Sequence, residues 1–189
     1  MEMPEAGSLD ERVRIVEYDP RWSGTFESER AALQECIGPW VTGEIQHVGS
    51  TAVPGLPAKP IVDILVGVAD LDRSRPCINR LASLSYMYLP YRAEVMHWFC
   101  KLHRGQRTHH LHLVPMGSPR YNDELAFRDA LRADPRLAAR YATLKKDLAV
   151  LYADDRDAYT QHKAPFVQEV LAAAGTARRV RGDESHGSH

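Results

Sequence analysis

Cysteine is scarce in this chain. Cys36, Cys77 and Cys100 are the three in 189 residues, odd in number and far apart. No CxxC pair or zinc-type spacing occurs, which excludes a disulfide framework and points to free thiols in a reducing compartment. A dominant charge sign is lacking too. Lys and Arg total 24 and Asp and Glu total 25, a formal net charge of −1. That balance excludes a basic nucleic-acid coat and a charge-driven disordered chain. No helix carries a base-reading basic stripe, so sequence-specific DNA is not an expected partner. There is no run of about 18 apolar residues, so no membrane span is expected. The opening MEMPEAGSLDER lacks the basic and apolar regions of a signal peptide, and a cytoplasmic protein is expected. Internal repeats are absent, and nothing selects an oligomeric state.

What is there is 44% hydrophobic residues in a length suited to one domain. Residues 1–11 and 175–189 read as disordered polar tails, the second following Gly175 as a helix cap, with His186 and His189 as tail composition. Residues 12–174 read as the folded domain, sheet-bearing over about 12–118 and helical over about 119–174. Strands are expected at 12–16, 44–48, 61–68, 86–90, 95–103 and 108–114. A helix opens at Pro20 and runs to Ile37, with Trp22, Phe26, Arg30 and Leu33 on one side. Another covers about 71–84, weakened by Pro76. Beyond Pro119 the pattern is helical throughout: ELAFRDALRAD, a helix from Pro135 to about Tyr152, and one from Arg156 to Ala174 burying Tyr159, Phe166, Val167, Val170 and Leu171. Trp22, Trp40 and Trp98 read as packing residues. Mixed elements first and helices afterwards give an α+β fold, a mixed sheet packed with helices and followed by a C-terminal helical segment.

Four features can carry chemistry. His47-Val48-Gly49-Ser50-Thr51 is a strand running into a Gly-Ser turn. Glycine permits close backbone approach, and N–H groups beside two hydroxyls can cradle a phosphate; an ordinary turn has the same composition. In IVDILVGV, residues 61–68, Val62, Ile64, Val66 and Val68 share one face, leaving Asp63 with Ile61, Leu65 and Gly67 on the other. A carboxylate in such a strand is costly unless paired, solvated or metal-bound, so Asp63 is either a functional acid or a structural one bonded to nearby backbone. In THHLHLV, residues 108–114, His110 and His112 share the face opposite His109, Leu111 and Leu113. If that strand lies beside 61–68, one carboxylate and two imidazoles can form a facial metal site, better suited to zinc, manganese or iron than to magnesium. Hydrogen-bonded sheet histidines are the alternative, and His47 and His97 join or flank the cluster. Lastly, Tyr141 and Lys145, like Tyr159 and Lys163, are i,i+4 on one helix face, as suits a nucleotide pocket or a tyrosine core with a snorkelling lysine. Lys59 can neutralise an anion or sit solvated in its loop. Glu94 is a candidate second carboxylate or a surface charge, and Arg104 and Arg107 read as hairpin-turn charges.

The Gly49-Ser50 turn and Asp63, separated by twelve intervening residues, together resemble the signature of the nucleotidyltransferase (DNA polymerase beta-like) fold. That resemblance implies a turn that holds phosphate and carboxylates that hold a divalent metal, Mg, Mn or Zn, for an in-line displacement. This sequence departs from the pattern at Leu65, where a second acid is expected. VEYDPRW (16–22), HVGSTAVPGLPAKPIVDI (47–64), THHLHLV (108–114), FRDALRADP (127–135), YATLK (141–145) and AYTQHKAPFV (158–167) resemble the GrpB-like family over about residues 13–173. Some members of that family look fused to a dephospho-coenzyme A kinase domain, which hints at nucleotide or cofactor metabolism. The resemblance implies a metal-dependent nucleotidyltransferase-like protein acting on or binding a nucleotide or phosphorylated small molecule. Asp63, His110 and His112 would be its catalytic and metal residues. Gly49, Ser50, Thr51, Lys59, Lys145 and Lys163 would hold nucleotide or phosphate. Two alternatives stand beside it: a catalytically inactive nucleotide- or metabolite-binding module, suggested by Leu65, and a metal-dependent hydrolase using Asp63, His110 and His112.

Overall fold

The computed structural model describes residues 12–184, with side chains through residue 175. Its five strands are β1 (Gln46–Val48), β2 (Val62–Val68), β3 (Tyr86–Leu89), β4 (His97–His103) and β5 (Gln106–Pro115), in sheet order β1-β2-β5-β4-β3. β2 and β5 are parallel; the other neighbouring pairs are antiparallel. A parallel pair cannot be closed by a tight turn. The chain therefore leaves β2, crosses the sheet, runs out to β3 and β4 and returns as β5 beside β2. The sheet is mixed and packed with helices, as the composition of the two halves requires.

The two faces of this sheet have different tasks. Val62, Ile64, Val66 and Val68 pack with Phe99, Leu111 and Leu113 into the main apolar core. Over them lies α1 (Arg21–Ile37), burying Trp22, Phe26, Glu29, Leu33 and Ile37 at helical spacing. Glu29 stands where Arg30 was expected; it is tolerated because the Lys101 ammonium lies 2.7 Å from its carboxylate. The opposite face carries Asp63, Leu65, His110 and His112, and helices α4 (Pro119–Ala133), α5 (Pro135–Leu151) and α6 (Arg156–Glu184) complete that side. Ser118 accepts the Tyr121 N–H and Asp134 accepts the Arg136 and Leu137 N–H groups, so α4 and α5, each led by a proline, begin on a side-chain cap.

Three expected boundaries move. Residues 12–16 form no strand: Val16 makes a single bridge with Ala58, because a proline-rich loop cannot offer a longer ladder. The 71–84 helix divides into α2 (Leu71–Ser74) and α3 (Pro76–Leu81), since Pro76 supplies no N–H to continue the first. Gly175 does not cap the last helix, whose backbone continues to Glu184; three alanines precede the glycine and no proline follows it. Residues 1–11, and 185–189 with His186 and His189, lie outside the described residues. Among those described, no helix is long and apolar enough to cross a membrane.

Candidate functional site

The site grows from the end of β1. Gly49 has φ +71°, and a Cβ there would collide with the Asp63 carboxylate, so glycine is what lets the turn and the acid lie against each other. Residues Ser50–Ala52 follow as a single 3-10 turn. Two arginines of α4 grip that turn from outside. Arg128 donates to the His47 carbonyl at 3.0 Å and Arg132 donates to the Ala52 carbonyl at 2.9 Å. The Thr51 hydroxyl is occupied internally, donating to the Ile61 carbonyl at 3.2 Å with His47 Nε2 at 3.0 Å. Thr51 therefore shapes the turn; both it and Ser50 line the cavity, where the Ser50 side chain is hydrogen-bonded to Tyr141.

The β2–β5 register pairs Asp63 with His110 and Leu65 with His112. His110 Nδ1 donates to Asp63 Oδ1 at 2.9 Å. Burial favours the neutral acid, but the His110 hydrogen bond and the charges around it outweigh burial and hold the Asp63 carboxyl below its usual range. Burial likewise keeps His110 below its ordinary value, against the pull of Asp63. The pair is thus an ionised acid and a neutral imidazole, whose Nε2 faces Arg156 Nη2 at 3.4 Å. His112 has its own carboxylate: Glu124 on α4 lies 3.1 Å from Nδ1, and Arg120 lies 2.8 Å from Glu124.

This arrangement corrects the expected metal site. Each imidazole uses Nδ1 on a separate carboxylate, and the Asp63 oxygen facing His110 accepts that bond. Among the described residues, no three His, Cys, Asp or Glu side chains group to hold a metal ion. Leu65 explains part of this. Where a second acid was expected, it is fully buried in an apolar cluster with Val48, Met96, Val114 and Tyr121. The donor set does not fit a bound divalent cation of the Asp63, His110, His112 kind. Nor do the other candidates supply ligands. His47 stacks on Phe26 on the core side, and burial pushes it down to about 4. His97 is hydrogen-bonded to the Leu71 carbonyl at 2.8 Å, and Glu94 is exposed in a loop.

The cationic candidates do converge. A cavity of about 740 Å³ opens between this sheet face and the last three helices. Gly49, Ser50 and Asp63 line it, together with Lys59, Lys145 and Lys163. Lys145 Nζ sits 4.8 Å over the Tyr141 ring, and Lys163 and Lys59 flank the Tyr159 ring at 4.5 and 5.1 Å. Both i,i+4 pairs thus form, with the tyrosines buried as supports for the amines. Burial, reinforced by the neighbouring Lys163, pushes Lys145 down to about 7 and Lys59 to about 8. Burial lowers Lys163 too, with Asp63 opposing it. Arg107, Arg120 and Arg156 also line the cavity, so six cations face two carboxylates, Asp63 and Asp157. Arg107 was expected at a hairpin tip; it is instead buried on β5. Trp98, expected to be packing, lines the cavity as well.

Residues 12–173 match the family model described as GrpB protein. The chain belongs to the GrpB family. It is 38% identical over 164 residues to the glutamate-rich protein GrpB of Alkalihalophilus pseudofirmus, covering 84% of this chain and 94% of that one. The crystal structure of the conserved protein GrpB from Enterococcus faecalis superposes with a TM-score of 0.78 at 32% identity, over 85% of this chain and 96% of that chain. The Cid1 poly(U) polymerase shares the fold at a TM-score of 0.53 and 13% identity, over 78% of this chain and 49% of that one. The fold of this GrpB-family chain is therefore nucleotidyltransferase-like.

Proposed function

We propose that this chain binds the phosphate groups of a nucleotide or another phosphorylated small molecule, as a binding module and not as a metal-dependent transferase. One observation carries the reading: the Lys59, Lys145 and Lys163 amines gather in one cavity beside the Gly49-Ser50 turn. Three partly desolvated ammonium groups repel each other, and a polyanion relieves that repulsion while accepting charge-assisted hydrogen bonds. Arg120 adds a further positive charge to the cavity wall. The cavity volume lies in the range of small-molecule sites, about 300–1,000 Å³. Leu65, and the lack of any grouping of three His, Cys, Asp or Glu side chains among the described residues, weigh against the metal-dependent readings.

Calorimetric titration with tripolyphosphate at pH 7 tests it. The wild-type chain should bind, and Lys163→Ala should weaken binding about tenfold, the loss of one charge-assisted bond. A wild-type chain that takes up no tripolyphosphate sinks the reading. The transferase reading has the ionised Asp63 beside the turn in its favour. Turnover of a labelled nucleoside triphosphate that disappears in Asp63→Ala would replace binding with catalysis.

A further inference from the structure

The chain has five lysines, and they divide into two kinds. Lys101 and Lys146 are each paired with a carboxylate, Glu29 at 2.7 Å and Glu17 at 2.8 Å. Lys59, Lys145 and Lys163 make no ion pair among the described residues, yet all three line the cavity. They are not equivalent. Lys145 is 2% exposed, and its amine donates to the Pro57 carbonyl. Lys59, from the loop before β2, and Lys163, from α6, are half-buried and stand against one ring, that of Tyr159, at 5.1 and 4.5 Å from its centroid. The charged and titratable groups around Lys59 are Lys163, Lys145 on α5, Asp63 on β2, and Arg107 and His110 on β5. Burial, Lys163 and Arg107 bring Lys59 down to about 8, with Asp63 opposing them. A lysine desolvated beside another cation is a nucleophile once its proton has left.

We propose that Lys59 is a covalent capture site for a small aldehyde or ketone, held as an imine, and that Lys163 is the positioning residue that primes it. This goes beyond the phosphate reading and does not rest on it: phosphate takes the ammonium form of Lys59, and a carbonyl takes the free amine. The lone pair on Lys59 Nζ forms a bond to the carbonyl carbon while the C–O π pair moves to oxygen. The oxygen takes a proton and Nζ gives one up. The carbinolamine then loses its hydroxyl with a further proton as water, and the C=N bond forms. Amine and carbonyl thus become imine and water, and no oxidant or reductant enters. The cavity selects the electrophile. About 740 Å³ is far more than carbon dioxide needs, and Ala58, Ile61, Leu89 and Met96 give carbon substituents an apolar wall. Asp63 lines the same cavity and offsets the charge of a protonated imine.

The test treats the wild-type chain with butanal and sodium cyanoborohydride at pH 7.5. Hydride reduces an imine to a stable secondary amine, which peptide mass spectrometry locates. Lys59 should be labelled at least about tenfold faster than the exposed Lys146, because more of it is uncharged at that pH. Its rate should saturate with butanal concentration, as a bound ligand requires, while that of Lys146 rises in proportion. Equal rates, a rate at Lys59 that never saturates, or label concentrated on Lys145 or Lys163 overturns the capture site. In Lys163→Gln the pH midpoint of Lys59 labelling should move up, with Lys146 unchanged; an unmoved midpoint removes the priming role. The wild-type comparison needs no variant to fold. Tripolyphosphate binding without Lys59 labelling overturns the imine alone, and Lys59 labelling without tripolyphosphate binding sinks the phosphate reading alone.

Discussion

Lys145 is an amine 2% exposed on a wall that already holds two other lysines, with Pro57 O as its hydrogen-bond acceptor. Its folded value near 7 lies well below its ordinary 10.5. Between those values the unfolded chain holds a proton that the folded chain has released, so unfolding free energy rises with pH across that window. The penalty is full below pH 7 and vanishes above the unfolded value. Lys59 acts in the same direction from about 8. In urea denaturation of the ligand-free chain between pH 7 and 10, wild-type stability should climb by up to about 1.4 kcal/mol per pH unit for each of the two protons. Lys145→Met should lower that slope without abolishing it, because Lys59 remains. A variant whose slope equals the wild type would mean that Lys145 is no burdened amine. The same residue shows how a cavity can be poised: a bound phosphate would pull the proton back, and binding at pH 8 should take protons from the buffer.

At the scale of elements, α4 does more than cover the sheet. Its Arg128 and Arg132 hold the carbonyls on either side of the Gly49–Thr51 turn, and its Glu124 and Arg120 extend the His112 pair. Removing Arg132 leaves the Ala52 carbonyl without that donor, and the turn is free to drift from the geometry that faces the cavity. Arg132→Ala should cost about 1–2 kcal/mol of stability and weaken tripolyphosphate binding by a larger factor than stability alone explains. Arg132→Lys should recover part of both. Unchanged affinity in the alanine variant would show the turn to be held without the helix. Such helix-to-turn contacts escape a sequence reading. The β2 and β5 faces were readable because strand alternation sends Asp63, His110 and His112 to one side regardless of neighbours. Glu124 and Arg120 are i,i+4 on an amphipathic helix and look like any surface ion pair until docking turns them inward. Arg107 and Trp98 alternate correctly on their strands, but alternation does not say which face a cavity will occupy.

Across the whole molecule, the cavity is where the sheet half and the helical half meet. Gly49 and Ser50 come from the end of β1, Asp63 from β2, His110 and Arg107 from β5, Lys145 from α5, and Arg156 and Lys163 from α6. The fold could be expected from its parts. Their convergence could not, because the segments are joined by packing of α4, α5 and α6 and by no local pattern. A ligand that touches both halves links them thermodynamically. At a free concentration about 100 times its dissociation constant, it should add about 2.7 kcal/mol to the unfolding free energy. Hydrogen exchange should register that linkage in three places at once: the amides of 49–52, the α5 turn around Lys145, and the first turns of α6 around Arg156–Lys163. The exposed end of α5 at Val150 and Leu151 lies outside the cavity and serves as the internal control. Protection confined to 49–52 would reduce the site to a surface turn that binds anions. Protection that appears together in all three segments, and not at the control, requires one ligand to bridge the sheet and the helices.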